Sequence, residues 1–164
     1  MLAIARYALI LSLFAGPALA QDAATPTLAD SVAQLQAFQS EVGDAKHDYV
    51  GKLLTLTDAE AAKFWPVFDA HQAALAKLNQ RRLANIHAYA KLWNEASTDD
   101  KAAAAVAKEA LAIEAEEAAL LQRSFAKLKT AMPVMKAIRY LQFESKLRAI
   151  IKFELAAEIP YAKA

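Results

Sequence analysis

From Thr57 to Glu95 the chain carries no glycine and a single proline, Pro66. Over that span Phe64, Val67, Phe68, His71, Leu75, Leu78, Ile86, Tyr89, Ala90 and Trp93 recur at steps of three and four, with Lys, Arg, Asn and Gln between them. Such steps place residues on one face of a 3.6-residue helix. Thr57 and Glu60 open the run as a capping box, the hydroxyl bonding the Glu60 N–H while the carboxylate reaches back. The pattern predicts one helix of about 36 residues, which at ~1.5 Å per residue exceeds 50 Å. A chain of 164 residues has no compact globule that holds such a helix straight. Pro66 lies too far beyond the cap to sit in the first turn, and Trp65 has no short oxygen side chain to cap a fresh helix there. It removes the bond to the Ala62 carbonyl at a cost of about 3 kcal/mol or more. The expected result is a kink, with Phe64, Trp65 and Phe68 packed around the bend.

Helical character continues on both sides. About a quarter of the residues are alanine and only three are glycine, which favours helix throughout. Tyr49, Val50, Leu53 and Leu54 mark a short helix before Thr57. Glu95 to Asp100 breaks the chain, with Ser97 or Thr98 as the next N-cap and two aspartates where a helix N-terminus favours negative charge. A third helix then runs to about Lys129 with Val106, Ala110, Ile113, Glu117, Leu120, Leu121, Phe125 and Leu128 on one face. Thr130 as cap and Pro133 in the first turn are expected to start a fourth, which stops before Pro160. The fold class is therefore all-α, about four helices in long antiparallel hairpins with a proline-kinked second helix, open as a cradle or closed as a bundle. The third helix is rich in Glu and the fourth in Lys and Arg, so a hairpin brings opposite charges together, most simply as solvated faces with weak surface pairs.

The first twenty residues have Arg6, an apolar run from Tyr7 to Ala15, a Gly16-Pro17 break and a closing Ala18-Leu19-Ala20. They read as a signal peptide cleaved between Ala20 and Gln21, its apolar run too short to span a bilayer. Residues 21–40 are expected to be a flexible or frayed leader and 41–160 a single helical domain. Without Arg6 the chain has 18 basic and 18 acidic residues, which gives no electrostatic footprint for nucleic acid. The absence of cysteine excludes thiol catalysis, thiolate metal sites and c-type haem attachment.

Few residues suggest chemistry. Asp44-x-x-His47 and the Glu114/Glu117 pair only half match the inward Glu and Glu-x-x-His set of a di-metal bundle. His71 and His87 stand sixteen residues apart on one helix, too far to share an ion without a large bend. His47, His71, His87, Glu114 and Glu117 are the weak metal candidates, and His71 fits a hydrogen-bonded core residue better. A haem held between a histidine and Met132 or Met135 stays open. No Gly-x-Ser-x-Gly, phosphate loop, His-Glu-x-x-His or dinucleotide fingerprint occurs, so no enzyme, no cofactor and no catalytic residue is expected. Phe64, Trp65, Phe68, Leu75, Tyr89 and Trp93 are candidates for core or for a client-facing surface. Thr57, Glu60, Pro66, Pro133 and Pro160 are structural.

"LTDAEAAKFWPVFDAHQ" and "MPVMKAIRYLQFESKLRAIIKFELAAEIP" resemble a group of exported, all-helical bacterial proteins with a Leu-Thr-x-x-Glu-Ala…Phe-Trp-Pro-x-Tyr/Phe segment and a C-terminal Arg-Tyr-x-Gln…Leu-Ala-x-x-Ile-Pro segment. That group is similar to the Spy/CpxP periplasmic stress proteins, known for a Leu-Thr-x-x-Gln motif. Leu56 and Thr57 match its start, and Glu60 stands where the motif has glutamine. The resemblance implies an ATP-independent chaperone or envelope-stress adaptor of the periplasm, a homodimer that binds unfolded or envelope proteins. The alternative it leaves is a metal-responsive or ligand-sensing accessory protein of the envelope.

Overall fold

A computed structural model describes Ala33 and residues 45–162. The expected signal peptide and, Ala33 apart, the expected leader lie outside these residues, as does Asp44. Within residues 45–162 four helices, called here α1 to α4, follow one another: α1 over 45–54, α2 Asp58–Asn94, α3 Asp100–Ala131 and α4 Val134–Glu158. No strand occurs among the described residues, and the fold is all-α. None of the described helices is long and apolar enough to cross a membrane.

Helix α2 begins as the sequence predicts. Thr57 Oγ1 accepts from the Glu60 N–H at 3.3 Å and Glu60 Oε2 accepts from the Thr57 N–H at 2.8 Å. Lys136 Nζ, at the start of α4, donates to the same Glu60 oxygen at 2.6 Å and to the Thr55 carbonyl. The capping box therefore ties three helices as well as starting one. The helix then runs unbroken through Pro66. Both Pro66 and Ala62 are exposed, so the carbonyl that loses its donor faces water, where the loss is least costly.

The next two boundaries differ from expectation. Asp99, not Ser97 or Thr98, caps α3, its carboxylate accepting from the Ala102 N–H at 3.0 Å. Ser97 is used instead by the loop, its hydroxyl accepting from the Asp99 N–H. With four candidate oxygens in a row, the register of the preceding turn decides. That turn closes α2 with a Ser97 N–H to Leu92 carbonyl bond and an Ala96 N–H to Trp93 carbonyl bond, the two bonds of a Schellman motif. Ala96 holds the left-handed position, at φ 47. At the other end α3 continues past Thr130 to Ala131, because the Thr130 hydroxyl turns back to the Lys127 carbonyl and caps nothing. Pro133 then stands as the N-cap of α4 and not in its first turn.

Side-chain pairs fix the directions. His71 meets Ser124 and Asn85 meets Val106, so α2 and α3 are antiparallel. Glu117 meets Arg148 and Glu114 meets Lys152, which makes α3 and α4 antiparallel as well. Gln72 meets Glu144 and Tyr89 meets Pro160, so α2 and α4 run parallel. Helix α1 lies against both, through His47 on Trp65 and Tyr49 on Phe143. Around its span the described residues form a four-helix bundle; beyond it, towards Trp93 and Ile159, they form three helices.

The larger core belongs to the four-helix end. Val50, Leu54, Phe64, Phe68, Leu128, Met132, Ala137 and Tyr140 form one buried cluster, flanked by Trp65, Val67 and Phe143. Phe64 is enclosed completely and packs edge-on to Trp65 and Tyr140 at 4.9 and 5.3 Å. At the three-helix end the cluster is only Ile86 and Ala90, with Tyr89, Trp93, Leu155 and Ile159 against them.

Candidate functional site

A polar seam runs inside the bundle from the larger core to the three-helix end. It starts at Lys46 of α1, whose ammonium donates to Glu144 Oε2 at 2.9 Å and to Gln72 Oε1 at 2.8 Å. Gln72 Nε2 donates to the other Glu144 oxygen at 3.0 Å and reaches the Tyr140 hydroxyl. Lys46 and Glu144 are both buried, at 7 and 5 % exposure, so each charge depends on the other and on Gln72. Burial, with the Glu144 charge beside it, pushes the Tyr140 phenol well above its ordinary pKa.

His71 and Ser124 continue the seam, Nδ1 and Oγ 2.8 Å apart. His71 Nε2 is 3.9 Å from Glu144 Oε2. The carboxylate favours the proton on Nε2, which leaves Nδ1 to accept from the Ser124 hydroxyl. Burial holds the imidazole below its ordinary pKa, partly offset by Glu144, so it is neutral at neutral pH. Serine, histidine and glutamate thus follow the order of a hydrolytic triad. The His–Glu gap exceeds hydrogen-bond length, all three groups are buried, and the amides around Ser124 are committed to the interior of α3. That leaves no oxyanion donors beside the hydroxyl, and the geometry supports a structural hydrogen-bond network.

Above His71 a cavity of about 40 Å³ touches Leu75, Asn79, Leu147 and Ile151, enough for water and too small for a ligand. Its far wall is a second charged group. Arg82 donates to Glu117 at 2.8 Å and to Asn79 at 2.6 Å. Arg148 Nε lies 3.1 Å from Glu117, an ion pair whose angle falls outside hydrogen-bond geometry. Arg148 and Lys152 both reach Glu114. Glu117 is buried, so this part of the acid-rich face is not the solvated surface expected from sequence. Glu109 and Glu116 lie on the outer side instead, paired with Arg81 of α2.

Beyond these charges α2, α3 and α4 part to leave a cleft of about 290 Å³. Arg82, Lys152 and the Glu114 carboxylate paired with Lys152 stand at its inner end, and Ile86, Tyr89, Leu155 and Ile159 line the outer part. Tyr89 spans the mouth, its hydroxyl donating to the Pro160 carbonyl at 2.8 Å. Comparison with family models, with curated proteins and with solved structures finds no match. What the chain does must be read from its own residues.

The residues singled out by sequence are scattered along this frame. Phe64 and Phe68 are core, Trp65 is half-buried beside it, Leu75 is half-buried at the small cavity by His71, and Tyr89 and Trp93 are half-buried at the cleft end. His47 stacks on Trp65 at 3.6 Å on the exposed side of α1. His87 is half-buried, with burial lowering its pKa. The three histidines do not converge, Glu114 and Glu117 are engaged by arginine and lysine, and no group of three His, Asp or Glu placed to hold a metal occurs among the described residues. Met132 is buried in the large core and Met135 is exposed at the start of α4.

Sequence reasoning missed Lys46, Gln72, Ser124 and Glu144. The signal was there: Lys46 precedes Val50 by four, Ser124 lies four from both Leu120 and Leu128, and Glu144 lies four after Tyr140. A polar residue on an apolar stripe is a candidate for a buried network.

Proposed function

We propose that this protein is a non-enzymatic, ATP-independent holder of unfolding proteins in the bacterial envelope, of the Spy/CpxP kind. The observation that carries the reading is the outer face of α4. Phe143 on that face is covered by Tyr49 of α1, their rings 5.3 Å apart. Two helical turns further on Ile150 has the same azimuth, and it is 56 % exposed, next to Phe153 at 77 %. Large apolar side chains grouped beside charged ones are the means by which a surface takes up extended or amphipathic segments. The likeness of residues 56–72 and 132–160 to exported stress proteins supports the same reading, as do the amino-terminal residues that read as an export signal.

Purified protein at equimolar ratio should slow light-scattering growth of a chemically unfolded test client in the absence of nucleotide. Replacing Ile150 and Phe153 together with lysine should remove that effect while leaving helix content by circular dichroism unchanged. A wild-type chain that does not slow aggregation ends the proposal.

A further inference from the structure

The cleft between α2, α3 and α4 changes character along its length. Arg82 and Lys152 mark its inner end, whereas Ile86 and Leu155 lie a turn further out, with Ile113 on the α3 wall. At the inner end three cations, Arg82, Arg148 and Lys152, face two carboxylates, Glu114 and Glu117. Arg81, beside Arg82 on α2, is taken up on the outer side by Glu109 and Glu116, and over the five inner side chains one positive charge is left over. It is also partly removed from water, Arg82 being 16 % and Lys152 36 % exposed. Burial, and after it the neighbouring Arg82, hold Lys152 below its ordinary pKa, since both disfavour the charged ammonium.

We propose that this cleft binds a medium-chain alkyl carboxylate, its tail against Ile86, Ile113 and Leu155 and its head group at Arg82 and Lys152. The volume of about 290 Å³ stands at the lower edge of the range for ligand pockets, about 300–1,000 Å³. It suits one short chain and not a ring-bearing cofactor. A carboxylate at the inner end takes charge-assisted hydrogen bonds from Lys152 and Arg82 and balances the surplus charge. An alkyl alcohol leaves that charge uncompensated, and an alkyl cation adds to it. This site is separate from the outer face of α4 that carries the client-holding proposal, and either can fail alone.

The test is calorimetric titration of the full chain with sodium decanoate below its micellar concentration, beside decan-1-ol and decyltrimethylammonium. Saturable uptake of one decanoate per chain is expected, at least about tenfold tighter than either analogue, the worth of one charge-assisted hydrogen bond. Lys152→Gln should weaken it by about tenfold on the same reasoning. Val106→Trp, from the α3 wall, should abolish it; should that variant not fold, Ala110→Phe on the same wall, at an exposed position, takes its place. Equal affinity for decanol, binding undiminished by a filled cleft, or no saturable uptake each overturns the inference. A cleft already taken by a second copy or by residues 1–44 registers as no uptake and counts against it. A chain that slows client aggregation yet takes up no decanoate loses this site and keeps the proposed function.

Discussion

The two ends of the bundle share α2, α3 and α4 but use them differently. At the α1 end four helices enclose aromatic rings in mutual contact, and the buried charges, Lys46 and Glu144, satisfy each other with Gln72 between them. At the other end three helices enclose Ile86 and Ala90, Glu114 and Lys152 sit partly in water, and a cleft stays open. Apolar burial and its dispersion contacts therefore concentrate at one end, while the other keeps apolar surface available. The difference is one of packing along one set of helices, with burial concentrated where α1 packs and apolar surface left open, for the binding proposed above, where it does not.

The buried ion pair gives the largest contrast. Glu144→Leu leaves the Lys46 ammonium buried without its counter-charge and should cost about 3–5 kcal/mol in urea unfolding. Adding Lys46→Met should recover much of the loss, because an apolar pair needs no counter-charge. Lys152→Gln, at the wet end of the seam, should cost at most about 1 kcal/mol. Equal losses for Glu144→Leu and Lys152→Gln would break the contrast between the two ends. Truncating the cores extends it: Phe64→Ala should lose about 3–5 kcal/mol, and Ile86→Ala should fall near the low end of about 2–5 kcal/mol, since its surroundings can relax into the cleft.

Two backbone positions offer smaller effects of opposite logic. Gly51 lies inside α1, where a Cβ would meet the Trp65 ring at an ordinary 3.7 Å, so Gly51→Ala should stabilise by about 0.5–1 kcal/mol. Ala96 holds a left-handed φ of 47 at the end of α2, so Ala96→Gly should stabilise by about 1 kcal/mol. Thermal unfolding of both variants measures this directly, and a loss of stability in either would contradict the local geometry.

The pH dependence should be the mildest effect. Burial depresses the folded-state pKa of both His71 and His87. In the unfolded chain each takes up a proton near the ordinary histidine value of about 6.5. The unfolded state therefore binds more protons in the window below that value, and stability falls there as the pH is lowered. It is fully present above about 6.5 and declines until the depressed folded pKa is passed. His71→Asn should reduce the slope in a series of urea curves between neutral and mildly acid pH.

Helix content, the long α2 and its capping box were legible because each depends on residues close in sequence. Thr57 and Glu60 need nothing else to make their two bonds, and the stripe from Phe64 to Trp93 states which face turns inward. The cap of α3 was less legible: Ser97, Thr98, Asp99 and Asp100 all qualify chemically, and the closing turn of α2 selects among them. The seam was least legible. Lys46 and Glu144 are 98 residues apart, and periodicity along one helix names a face without naming what it faces. Glu117 stands on the apolar stripe of α3, but Arg82 read singly looks like a surface residue, and that the two meet shows only when α2 and α3 are placed side by side. The cleft has no local signature at all, since it arises from where three helices part.

The claim that the three-helix end does the binding is tested most directly by site-specific photo-crosslinking to a purified unfolding client. Benzoylphenylalanine at position 153, on the exposed face of α4, should capture the client, and the same probe at position 52, exposed on α1, should not. Capture at 52 without capture at 153 would contradict the account.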